Sequence, residues 1–227
     1  MKILAVDTAL GACSAALLED DRVLSRRWTA MERGHAEALA PMVDDVMREA
    51  RLQFQALERL AVTVGPGTFT GQRVGLAFMR GLRTALGKPL LGVTSLTAMA
   101  EQARNETGVG QAAAVHDARR GEVYLEVLGD ALSARLLAFD DACSALGGLS
   151  GQLVLAGTAA RRMAEALDGA DLAIKVSDIV APDAVWVARL ALCMEPGASP
   201  PRPLYLRAPD AKLPKTTPAK TISMGAR

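Results

Sequence analysis

Leu60-Ala61-Val62-Thr63-Val64 runs straight into Gly65-Pro66-Gly67-Thr68-Phe69-Thr70-Gly71, and Gln72 to Leu86 follows as an amphipathic segment. A short apolar run bounded by glycine reads as a buried strand, and apolar residues at helical spacing read as a helix. The stretch is therefore strand, glycine-rich turn, helix. Toward the N-terminus, Ile3 to Val6 ends at Asp7-Thr8, and Ala15 to Leu18 follows after Gly11, which predicts strand, turn, strand, with a third strand from Val23 to Thr29. A helix is expected from about Ala36 to Leu52, on the spacing of Leu39, Met42, Val43, Val46, Met47 and Ala50, with Pro41 near its beginning. Leu90 to Val93 reads as the next strand, and Thr94 or Ser95 suits the cap of a helix running toward Arg104. Such alternation argues for an α/β layer fold.

The polar stretch Asn105 to Gly110 is the predicted lobe boundary, which gives a first lobe over 1–108 and a second over 109–207. Strands are expected at Ala112 to His116, Glu122 to Leu128, Leu153 to Ala156 and Leu172 to Val176. A helix is expected around Ala159 to Leu167, and a last one from Asp183 to Cys193 with Pro182 in its first turn. The second half thus repeats the order of the first loosely. Residues 208–227 carry little apolar content and have Lys212, Lys215, Lys220 and Arg227 against Asp210, which reads as a basic, flexible tail.

A chain of 227 residues can bury a sizeable core. Apolar residues make up 50% and charged residues 22%, with 26 Lys+Arg against 25 Asp+Glu, which excludes a disordered chain and a strongly charged nucleic-acid coat. Cys13, Cys143 and Cys193 are odd in number and widely spaced, so no disulfide framework is indicated. No apolar run approaches the roughly 20 residues of a membrane span, and the opening segment lacks the pattern of a secretory signal. A cytoplasmic protein without a membrane partner is expected.

Chemistry has few places to sit. Asp7, Thr8 and Gly11 can hold a hydrated metal or phosphate oxygens, or can simply satisfy a tight hairpin. The Gly65 to Gly71 loop can aim N–H groups at an anion, form a structural turn, or face another protein. It is no P-loop, because Gln72-Arg73 follows Gly71 where lysine and a hydroxyl are required. His35 and His116, the two histidines, lie far apart in sequence, and no nucleophile elbow surrounds Ser14, Ser95 or Cys13. The run Asp117-Ala118-Arg119-Arg120-Gly121-Glu122-Val123-Tyr124 reads as a turn fixed by an Asp117 to Arg119 or backbone bond, with interlobe, substrate or RNA contact as the alternative.

Taken together, Asp7-Thr8-Ala9, Gly34-His35-Ala36-Glu37, the Gly65 to Gly71 loop with Arg73 and Gly75, and Asp117-Ala118-Arg119 with Glu122-Val123-Tyr124 resemble the bacterial TsaB family. The likeness extends from Met1 to about Tyr124 and resumes weakly at Tyr205-Leu206-Arg207. The resemblance implies a duplicated two-lobed fold similar to actin, Hsp70 and sugar kinases. It implies a noncatalytic scaffold, with no cofactor, that supports threonylcarbamoyladenosine formation in tRNA. The implied partners are a TsaD-like catalytic paralogue, a TsaE-like ATPase and, through the complex, tRNA.

TsaD-like proteins place two metal-binding histidines four residues apart where this chain has Ser95 and Met99, which cannot reproduce paired imidazole ligation. The helices near Ala36 to Leu52 and Gln72 to Leu86 are the implied partner surface, also usable for a homodimer. Its expected residues are His35, Met42, Gly67, Phe69, Arg73, Phe78 and Leu82. Thr68 and Gln72 stand where the family often has Ser and Leu, and both are compatible with the turn. The competing readings are a small-molecule kinase using Asp7, Thr8 and the glycine loop, a protease, and independent RNA binding through the tail and Arg119-Arg120.

Overall fold

The computed structural model describes residues 1–129 and 132–207. The basic tail read at 208–227 lies outside the described residues. The chain opens with strands β1 (Lys2–Asp7), β2 (Ala12–Glu19) and β3 (Arg22–Ala30), then alternates α1 (His35–Glu49), β4 (Arg59–Gly65), α2 (Phe69–Leu86), β5 (Leu90–Thr94) and α3 (Ser95–Thr107). The second half is β6 (Gln111–Arg119), β7 (Glu122–Val127), β8 (Leu132–Ala138), α4 (Phe139–Gly147), β9 (Gly151–Ala156), α5 (Ala160–Ala166), β10 (Leu172–Val176) and α6 (Ala184–Leu192).

The two sheets have the order β3-β2-β1-β4-β5 and β8-β7-β6-β9-β10. In each, two antiparallel pairings precede two parallel ones, so the second half copies the first strand for strand. The fold is therefore α/β, two-lobed and duplicated.

Local chemistry explains the element ends. The Thr68 side chain caps α2 by accepting from the Gly71 N–H, the Thr94 side chain caps α3 through the Thr97 N–H, and Asp183 caps α6 through the Val185 N–H. On α1 the buried residues His35, Leu39, Val43, Val46 and Met47 recur at helical spacing and form one stripe. Leu39, Val43, Val46 and Met47 pack with Leu76 and Met79 of α2 against Leu4, Val6, Leu17, Leu60 and Val62 on the outer face of the first sheet.

The inner face of that sheet, with Ile3, Ala5, Leu18, Ala61 and Val93, is covered by Ala184, Val187, Ala188 and Ala191 of α6. Reciprocally, Leu96, Met99, Ala100 and Ala103 of α3 cover the inner face of the second sheet at Ala112, Ala114, Val154 and Ala156. Each half of the chain thus supplies the helix that seals the other half's sheet.

Two expectations need correction. The helix expected to run toward Arg104 continues through Thr107, and the left-handed Gly108 that ends α3 falls within the stretch expected as the lobe boundary. Pro182 precedes the cap of α6 and is not in its first turn. Between β7 and β9, the edge strand β8 and helix α4 are additional to the expected elements. Among the described residues, no helix is long and apolar enough to cross a membrane.

Candidate functional site

The turn that follows β1 and the glycine loop that follows β4 lie against each other. The Thr8 hydroxyl donates to the Gly71 carbonyl at 2.7 Å and accepts from the Gly75 N–H at 3.0 Å, which pins the first turns of α2 to the end of β1. A Cβ on Gly71 would fall 2.1 Å from the Thr8 carbonyl oxygen, and one on Gly75 would fall 2.7 Å from the Thr8 hydroxyl. Only glycine permits that approach. Gly67 is half-buried beside Ala9, whose carbonyl accepts from the Thr68 N–H at 2.8 Å. The N–H groups of Thr68, Gly71, Gln72 and Gly75 all have partners within the chain.

Asp7 is fully buried, with one carboxyl oxygen accepting from Thr63 Oγ1 at 2.6 Å and from the Ala9 N–H at 3.1 Å. Its Oδ2 has no partner, and burial pushes the carboxyl up to about 7. Gly11 is exposed. The Ser95 hydroxyl donates to the Pro66 carbonyl, and Met99 is wholly buried in the interlobe core. Ser14 is equally buried, its Oγ accepting from the Ala184 N–H. These hydroxyls serve the backbone. Among the described residues, no group of three or more His, Cys, Asp or Glu side chains is placed to hold a metal ion.

The residues expected on a partner surface divide. Phe69 is 56% exposed and Arg73 is exposed beside it, while Met42, Phe78 and Leu82 are half-buried along α1 and α2. His35 is buried, with Nε2 3.1 Å from the Leu10 carbonyl, so it supports the start of α1 from behind and does not face outward. Gly67 likewise lies behind the face. The sequence signal for His35, a polar residue at a helix start, cannot separate a surface contact from a buried backbone bond.

The C-terminal segment 200–207 completes the face. The Arg80 guanidinium donates to the Pro201 carbonyl at 2.6 Å, and the Leu204 N–H donates to the Val64 carbonyl at 2.8 Å. Tyr205 then stacks on Phe69 with ring centroids 5.8 Å apart and accepts from Arg73 Nε at 2.9 Å. Two residues on, Arg207 pairs with Glu122 of the second lobe. The Arg119 N–H donates to Asp117 Oδ1 at 2.8 Å, as expected for that turn. A second interlobe link, Thr94 and Thr97 hydroxyls donating to the Glu126 carboxylate at 2.8 Å each, was not legible because it joins residues about 30 positions apart.

A family model described as TsaD, tRNA N6-adenosine threonylcarbamoyltransferase, matches residues 29–177, well over half of the chain. The chain belongs to that family. Within it the chain is of the TsaB/YeaZ type. It is 39% identical over 124 residues to the tRNA threonylcarbamoyladenosine biosynthesis protein TsaB of Escherichia coli K12, covering 55% of this chain and 53% of that protein. The chain therefore spans about half the length of the curated relatives it matches. YeaZ from Pseudomonas aeruginosa superposes with a TM-score of 0.69 at 31% identity, covering 84% of this chain and 90% of that one. Another Pseudomonas aeruginosa structure, described as similar to the peptidase YeaZ, gives 0.75 at 28% identity over 91% and 99%.

Proposed function

We propose that this chain is a noncatalytic subunit of the machinery that makes threonylcarbamoyladenosine in tRNA, and that it docks its α1–α2 face onto a TsaD-like catalytic paralogue. A TsaE-like ATPase and tRNA join through that complex, and a homodimer uses the same face when the paralogue is absent. The observation that carries this reading is at the start of α3. Where the catalytic relatives are expected to have a metal-binding histidine pair, Ser95 is tied to Pro66 and Met99 fills the core. A second support is the mixed character of the outer face, with exposed Phe69 and Arg73 beside half-buried Met42, Phe78 and Leu82, the composition of an interface with an apolar centre and an arginine anchor.

Light scattering on the full chain mixed with the TsaD-type protein of the same organism tests it. A species of summed mass at micromolar concentration is expected. Two separate species, with or without the ATPase and ATP, would refute the proposal.

A further inference from the structure

We infer that Phe69, Arg73 and Tyr205 form a seat for a carboxylate carried by the protein that docks on the α1–α2 face. This rests on the docking reading above and adds the chemistry of its anchor. The Arg73 guanidinium lies over the Phe69 ring, with its Cζ 3.5 Å from the centroid, and its Nε is held by the Tyr205 hydroxyl. Stacking and one hydrogen bond fix the plane of the fork, while its two terminal nitrogens have no partner among the described residues. A planar guanidinium fixed in this way is preorganised for two parallel bonds to one carboxylate, at a smaller entropic cost than a free side chain incurs.

A phosphate of RNA offers the same oxygen geometry, but the surroundings favour a protein. α1 carries Glu37, Asp44, Asp45 and Glu49 against Arg48 and, from β3, Arg27 paired with Glu49, which leaves it net acidic, whereas α2 carries Arg73, Arg83 and the half-buried Arg80 with no acid. A face split between acidic and basic helices repels a polyanion from one half, and the half-buried Met42, Phe78 and Leu82 between them suit apolar side chains. Tyr205 also makes the seat composite, since helix and C-terminal segment must both be in place.

Calorimetric titration of the full chain with the TsaD-type protein of the same organism tests the seat, using Arg73→Lys, Arg73→Ala and Tyr205→Phe, each checked for an unchanged melting temperature. Wild type should bind, Arg73→Lys about tenfold more weakly because the charge stays but the fork is lost, Arg73→Ala at least as weakly, and Tyr205→Phe about threefold more weakly. Wild-type binding with unchanged Arg73→Lys affinity overturns the seat and leaves the docking reading standing. No binding by wild type removes both. Loss confined to tRNA affinity, or to self-association of this chain, overturns the assignment to a partner carboxylate.

Discussion

The Thr8 hydroxyl accepts a hydrogen bond from the Gly75 N–H at 3.0 Å, across a separation of 67 residues in sequence. The same oxygen donates to Gly71, so one side chain joins the first strand to the opening turns of α2. The glycine spacing that first suggests an anion loop is, in the folded chain, the clearance that this threonine needs.

Thr8→Val keeps the side-chain shape and removes both bonds, leaving the Gly71 carbonyl and the Gly75 N–H, an i,i+4 pair of α2, with only each other. A loss of about 2–3 kcal/mol is expected in urea unfolding, with an unchanged slope. Gly75→Ala should destabilise the protein as well, because its Cβ would meet the Thr8 hydroxyl at 2.7 Å. A neutral result for both variants would show that the contact is not structural.

Gln72 is buried at 3% exposure with its side-chain oxygen unpartnered, directly over Gly65. Gln72→Leu removes the unmet acceptor at similar volume and should raise stability by about 1 kcal/mol, seen as a higher melting temperature. A fall would mean that the amide has a partner in solution.

Two buried groups pull the pH dependence in opposite directions. Asp7 binds its proton more tightly folded, at about 7 against an ordinary 3.8, so its contribution is full below about pH 4 and is lost as pH rises toward about 7. Burial pushes His116 from 6.5 down to about 4, so its contribution is full above about pH 6.5 and is lost as pH falls toward about 4. The wild-type profile should therefore be shallow between pH 4 and 6.5. Asp7→Asn should leave stability rising with pH across that window and His116→Leu should leave it falling, by roughly 2–4 kcal/mol in each case. Parallel profiles in the two variants would contradict the assignment.

Arg207 ties the C-terminal segment to Glu122 and to the Arg119 carbonyl. Arg207→Ala should speed protease cleavage between Cys193 and Arg207 several-fold while shifting global unfolding by less than about 1 kcal/mol, because the pair is partly solvated. Unchanged cleavage would mean that Pro201, Leu204 and Tyr205 hold the segment alone.

The regular elements of the first lobe were legible because their apolar residues sit at helical or strand periods and glycines punctuate them. β8 and α4 were not. Leu132–Ala138 has only half-buried and exposed positions, and α4 is preceded by Ala138, which offers no side-chain cap. Asn105 to Thr107 give no sign of helix because polar residues on the solvent side of a helix end resemble a linker in composition. Phe69 and Arg73 could be named from the loop and its helix, but only folding shows that Tyr205 joins them and that His35 turns inward. Pairings across more than a hundred residues leave no local trace.

The exchange of α3 and α6 between the halves sets an order on synthesis. The first sheet is complete once Thr94 has left the ribosome, yet the side that α6 will cover stays wet until nearly a hundred more residues emerge. A nascent chain halted at the midpoint would carry an oily, uncapped surface, so the first lobe stays unsealed until translation is nearly finished, whereas the second lobe finds its covering helix already made.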